Sequence, residues 1–166
     1  MLFKPDLAEK VLTKEKTQTR RVQLPGDEAI RDETGRIIGV TRLDRRGRRR
    51  LLYGVGLVYA VQPGRGKKAW GYATLGQIRD ERVKDISERD AIEEGVVIPE
   101  HKRGTVRLPH GGAPVLRTTY RMEFALLWDS INAKRGYGWN DNPPVWASRF
   151  RTQSARSSNR KATIGG

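Results

Sequence analysis

The stretch KEKTQTRR, residues 14–21, sets five ionisable side chains and two threonines into eight positions. A solvated helix face would account for the charges. The threonines, however, alternate with other residues in the period of two that marks a strand, so the stretch reads either as charged surface or as the floor of a site. A second cationic run, RLDRRGRRR at 42–50, carries six arginines. Arginines at that density touch phosphate without reading base sequence. Arg45, Arg46, Arg48, Arg49 and Arg50 are therefore candidate nucleic-acid contacts, the alternative being a solvated loop with no partner. GRGKK at 64–68 lacks the G-x-x-x-x-G-K-[ST] spacing of a phosphate-binding loop and precedes a strand rather than a helix. It is read as a basic turn that brings Lys67 and Lys68 near a phosphate. Trp139 and Trp146, in GYGWNDNPPVW, could stack a base, against the plainer reading of aromatics in a core. His101 and His110 lie in a glycine-rich stretch of a chain without cysteine. Their spacing fits no metal-ligand pattern, so neither a metal site nor a cofactor is expected, and no Ser-His-Asp arrangement can be argued.

These side chains need elements to position them. KPDLAEKVLTKEK predicts a short helix, with Pro5 in its first turn, Asp6 complementing the dipole and Leu7, Ala8, Val11 and Leu12 as its apolar stripe. TQTRRV then alternates as a strand, with Thr17, Thr19 and Arg21 on one face and Gln18 and Arg20 on the other, and Lys16 falls at the junction. Such junctions expose side chains to pockets. Residues 26–50 read as an exposed, arginine-rich insertion with a small hairpin around Gly35. LLYGVGLVYAV (51–61) predicts a buried strand, AWGYATL another, and QIRDERVKDI a half-buried third. SERDAIEEG has helix start and stop signals, Ser87 with Asp90 three residues on and Gly95 at the end. Residues 97–118 read as a loop. In MEFALLWDSINAK, Phe124, Leu127, Trp128 and Ile131 make an amphipathic helix, and VWASRF is a final strand. No acidic residue follows Asp141, so 151–166 reads as a basic tail with too little apolar surface to order itself. The sum is an α+β domain around a small, curved, mixed or antiparallel sheet, expected to be a β-barrel, with two or three helices.

Composition narrows the partners. A chain of 166 residues suits one domain. Its 33 Lys and Arg against 19 Asp and Glu leave a net charge of +14, which favours a polyanionic partner. Absence of cysteine excludes disulfides and thiolate metal sites. No apolar run resembles a signal peptide or approaches the ~20 residues of a membrane span, so a cytoplasmic location without membrane association is expected.

KTQTRR after an amphipathic helix, DISERDAIEEG in the middle and WDSINAKRGYGWNDNPPVW before the last strand together resemble the ASCH domain family. That family is a PUA-like β-barrel group associated with RNA, and the resemblance runs from Met1 to about residue 150. The family pattern of glycine, lysine, acidic residue and arginine falls on Lys14, Lys16, Thr19 and Arg21. Lys14 thus replaces the glycine, and Thr19 stands where many members have glutamate. A long side chain at 14 is expected to narrow the entrance to the site.

The branch of the family that hydrolyses N4-acetylcytidine has a lysine, a threonine three residues later and a distant glutamate. Lys16, Thr19 and Glu94 are similar to that set. What the resemblance implies is coherent chemistry. A partly desolvated lysine can serve as the base that a weak threonine nucleophile needs, a glutamate can orient it or shuttle a proton, and Arg21 would hold a carbonyl, a phosphate or Glu94. Three readings remain. The first is an RNA- or nucleotide-binding domain, RNA ahead of DNA, with a pocket of Lys16, Thr19, Arg21 and Glu94. The second is an amidohydrolase for N4-acetylcytidine or a similar modified nucleoside. The third is a basic interaction module docking on a nucleoprotein complex, its pocket filled by its own side chains.

Overall fold

The computed structural model describes residues 1–107, 109 and 111–152. Helix α1 (Pro5–Leu12) starts on its proline and buries Leu7, Ala8 and Val11. The chain leaves it through Lys14, which stands in the left-handed region at φ 68°. A glycine is unstrained there while a side chain is not. Lys14 itself is exposed.

Seven strands form one antiparallel sheet: β1 (Gln18–Val22), β2 (Asp27–Arg31), β3 (Ile37–Leu43), β4 (Arg49–Gly54), β5 (Val58–Val61), β6 (Gly71–Arg82) and β9 (Pro144–Thr152). The path runs β1-β9-β6-β3-β2, with β4 on β3 and β5 on β6. The two shortest strands, β7 (Thr105–Val106) and β8 (Val115–Leu116), pair only with each other. Among the described residues β1 and β2, the ends of the path, do not pair, so the sheet stays open where a closed barrel was expected. The ladder between β3 and β6 is a single register pair, Ile37 opposite Ile78.

Three sequence expectations change. Residues 26–50 are not an exposed excursion: they build β2 and β3, and Ile37, Val40 and Thr41 are buried. The glycines of LLYGVGLVYAV break the expected single strand into β4 and β5, with Gly56 at φ 82° in the turn. AWGYATL and QIRDERVKDI contribute to one strand, β6, with an irregularity between Leu75 and Gln77, while Val83–Asp85 form a short 3-10 turn after it. Helix α2 (Glu88–Glu93) begins as expected, Ser87 Oγ accepting from the Asp90 N–H at 3.0 Å. Helix α3 (Tyr120–Asn132) is capped by Thr119 and buries Phe124 and Trp128. No helix of the described residues is long and apolar enough to cross a membrane. Arg151 and Thr152 extend β9, while His110 and residues 153–166 of the expected tail lie outside the described residues.

The apolar interior has two parts. One gathers Phe3, α1, Leu75, Trp146 and Phe150. The other gathers Val22, Val83, Ile86 and Val145 with Phe124 and Trp128 of α3. The site lies where they meet.

Candidate functional site

Lys16 is held in place by its backbone before its side chain acts. Its N–H donates to the Lys10 carbonyl at 2.9 Å, and the next N–H, of Thr17, donates to the Glu93 carbonyl at 2.8 Å. The C-terminal end of α2 therefore docks directly on the junction between α1 and β1. Gly95, at φ 80°, permits this approach, since a Cβ there would lie 3.0 Å from Lys16 Cβ. Lys10 Nζ fastens the same turn by donating to the Gly95 carbonyl at 2.7 Å.

The Lys16 ammonium, 2% exposed, donates to Glu94 Oε2 at 2.5 Å and to the Glu94 carbonyl at 2.8 Å. Two of its three protons are thereby used. Burial pushes the Lys16 pKa down; Glu94 opposes this by charge and hydrogen bond, and Arg21 and Arg20 add repulsion, leaving it below the ordinary lysine range.

Arg20, not Arg21, closes the network. Its guanidinium reaches Glu81 at 2.6 Å, Glu94 at 3.1 Å and Asp90 at 3.2 Å, and lies 5.9 Å from the Phe124 ring centroid. Gln18, two residues before it on the same strand face, donates to Asp90 Oδ1 at 2.7 Å and to Glu93. Lys16, Gln18 and Arg20 thus share the side of β1 that meets the α2 carboxylates. Burial opposes ionisation of Asp90, but Gln18, Arg20 and Arg79 outweigh it and hold its carboxyl below the usual range. Arg21 takes a carbonyl, that of Leu2, and lies over the Phe3 ring.

Lys16, Thr19, Arg21 and Glu94 all line one cavity of about 450 Å³, and Arg20 lines it too. Among the described residues no hydrogen bond joins Lys16 to the Thr19 hydroxyl. Leu7, Val22, Phe124 and Trp128 supply apolar wall. Six cations line the cavity, namely Lys4, Lys16, Arg20, Arg21, Arg42 and Arg135, against the single carboxylate of Glu94. Arg20 and Arg42 are neutralised from behind, Arg42 by Asp27. Among the described residues Lys4, Arg21 and Arg135 find only neutral partners: Ser130 Oγ at 3.3 Å, the Leu2 carbonyl, and Asn132 Oδ1 at 3.2 Å. Such a surface favours an anion over a neutral molecule of the same size. Lys14 is not among the lining residues, so it does not narrow the entrance.

The other sequence candidates lie elsewhere. Trp146 is corrected outright: it is 4% exposed in the core, its Nε1–H donating to Asp27 Oδ2 at 3.1 Å, and it has no free face for a base. Trp139 is half-buried, edge-on to Phe124 with centroids 6.1 Å apart and with Arg121 over its ring. Arg45, Arg46, Arg48, Arg49 and Arg50 are exposed on the β3–β4 hairpin. Arg48 pairs with Asp44 and Arg49 with Glu28. Lys67 and Lys68 are exposed in the turn before β6. His101 is exposed in a short turn.

Arg20 could have been found by carrying the period of two back from it to Lys16. The cavity residues Lys4, Arg42, Tyr53 and Arg135 leave no such trace, because distant segments bring them together.

No protein-family model and no curated protein matches the chain. Solved structures that the chain is similar to include the following two. One is an ASCH domain from Lactobacillus crispatus JV V101, at 12% identity over 89% of this chain and 70% of that one, with a TM-score of 0.48. The other is protein EF3133 from Enterococcus faecalis V583, at 14% identity over 89% of this chain and 69% of that one, also with a TM-score of 0.48.

Proposed function

We propose that this chain is an ASCH-like, RNA- or nucleotide-binding domain whose pocket is built on Lys16, Thr19, Arg21 and Glu94, with Arg20 fixing the carboxylates behind it. The observation that carries this reading is the charge imbalance of the cavity, six cations to one carboxylate, three of those cations having neutral partners only. Apolar wall suits a base, and the free cations suit a phosphate. A pocket filled by its own side chains, as the docking-module reading requires, has no support in a cavity of about 450 Å³.

Calorimetric titration of the purified chain with cytidine 5′-monophosphate and with cytidine tests it. The nucleotide binds more tightly than the nucleoside, and Arg21→Ala removes most of that difference. Lys16→Ala weakens the nucleotide by one charge-assisted hydrogen bond, about 1.5 to 3 kcal/mol. Equal affinity for nucleotide and nucleoside would count against the reading.

One observation favours amidohydrolysis as a second reading. The lowered Lys16 pKa enlarges the neutral fraction that a base needs, and Thr19 stands in the same cavity. On that reading Lys16→Ala and Thr19→Ala each cut release of cytidine from N4-acetylcytidine by about a hundredfold or more. Chromatography that finds no cytidine above the enzyme-free control removes this substrate.

A further inference from the structure

Two aromatic residues at the start of β6, Trp70 just before the strand and Tyr72 within it, are not used by the core. Gly71, Ala73 and Leu75 turn inward: Ala73 and Leu75 are buried with α1, and a Cβ on Gly71 would strike Leu12 of that helix at 2.5 Å. The alternate positions therefore turn outward. Trp70 is 52% exposed and Tyr72 is 54% exposed, the most open aromatic side chains among the described residues. Trp70 is anchored by its backbone, its N–H donating to the Val61 carbonyl at 2.9 Å. Beside Tyr72 in register lies the small Ala60, and half-exposed Val58 lies opposite Thr74, so among the described residues the side chains of β5 leave the Tyr72 ring uncovered.

Cations frame this face. Arg65, Lys67 and Lys68 are exposed in the turn that leads into Trp70. Arg151 of β9, in register with Thr74, is exposed on the outward side of the sheet. None of these four makes an ion pair among the described residues.

We propose that this outer face of β5, β6 and β9 binds single-stranded nucleic acid, with bases stacked on Trp70 and Tyr72 and phosphates along Arg65, Lys67, Lys68 and Arg151. Open rings on a sheet flanked by unpaired cations suit unstacked bases, whose π-faces a duplex hides. A second copy of the chain fits less well, because a two-fold contact would set these cations against themselves. The proposal uses nothing of the cavity and stands apart from the nucleotide reading.

The test is fluorescence anisotropy of the full chain with a labelled oligouridylate of about twelve nucleotides, within the ~4 to 16 that a small stacking domain covers. Trp70→Ala with Tyr72→Ala weakens binding by about tenfold or more, and Trp70→Phe with Tyr72→Phe stays within about threefold of the parent. Neutralising Arg65, Lys67 and Lys68 to glutamine flattens the log–log salt slope by about 2. Trp70→Ala with Tyr72→Ala leaves the affinity for cytidine 5′-monophosphate unchanged, because neither ring lines the cavity. Circular dichroism melting of each variant verifies the fold. The proposal is overturned if the double alanine variant binds like the parent, if a duplex of equal length binds more tightly, or if the parent does not bind. It is also overturned if sedimentation shows the double variant turning a dimer into a monomer at unchanged oligonucleotide affinity.

Discussion

Arg20 and Arg49 both sit on strands and both hydrogen-bond a glutamate, yet they do opposite things. Arg20 has a 1% exposed side chain wedged among Glu81, Asp90 and Glu94. Arg49 meets Glu28 at 2.5 Å with both side chains about half in water, 47% and 58% exposed. A charge removed from water must keep its partner, because the alternative is a bare buried ion. An exposed pair exchanges its partner for water or phosphate at little cost. The buried arginine therefore fixes geometry, while the exposed arginines stay available for a polyanion.

Glu94→Gln breaks the buried side of that contrast hardest. It leaves Lys16 and Arg20 buried with one carboxylate fewer, and urea unfolding should show a loss of about 3 to 5 kcal/mol. Lys16→Met should cost clearly less, since Arg20 still holds Glu94.

Asp27 gives the next effect. Burial opposes its ionisation, but hydrogen bonds from Arg42, the Leu24 N–H and Trp146 outweigh this and hold its pKa below the usual value. A lowered carboxylate pKa contributes stability that is complete above the unfolded pKa of about 4 and is lost as the pH falls through the folded one. Asp27→Asn should cost about 1 to 3 kcal/mol at neutral pH. It should also flatten the decline of stability measured by urea titration below about pH 4.

A smaller effect has the other sign. Lys14→Gly relieves the left-handed backbone at φ 68° and should raise stability by up to about 1 kcal/mol, the gain being offset in part by the freer unfolded chain. The smallest falls on the exposed arginines. Neutralising Arg45, Arg46, Arg48, Arg49 and Arg50 should leave the melting temperature unchanged. It should flatten the salt slope of RNA binding by at least two contacts' worth, each roughly 0.7; affinity that does not vary with salt would remove the hairpin from the interface.

Local signals carried much of this architecture. Pro5, Ser87 and Gly95 mark helix ends by backbone chemistry that needs no distant partner, and α1, α2 and α3 lie where they predict. Alternation placed β1, and the KTQTRR resemblance singled out Lys16, Thr19 and Glu94, which do meet in one cavity. What failed was non-local. The arginines of 42–50 masked a strand whose Ile37 and Val40 are needed by the core, because charge on one face hides the pattern of the other. Trp146 was open to both a stacking and a core reading because sequence shows an aromatic ring but not its burial, and the core reading is the one that holds. Trp70 passed unnoticed for the same reason. Arg20 was assigned to the far face because the position of the α2 carboxylates depends on how α2 docks.

The central claim is that the cavity between Lys16 and Arg21 receives a nucleotide. A crystal structure of the chain soaked with cytidine 5′-monophosphate tests it most directly. The account predicts the nucleotide inside the cavity, with its phosphate within hydrogen-bond reach of Arg21 or Arg135. An empty cavity at saturating nucleotide, or a nucleotide bound only on another face, would contradict it.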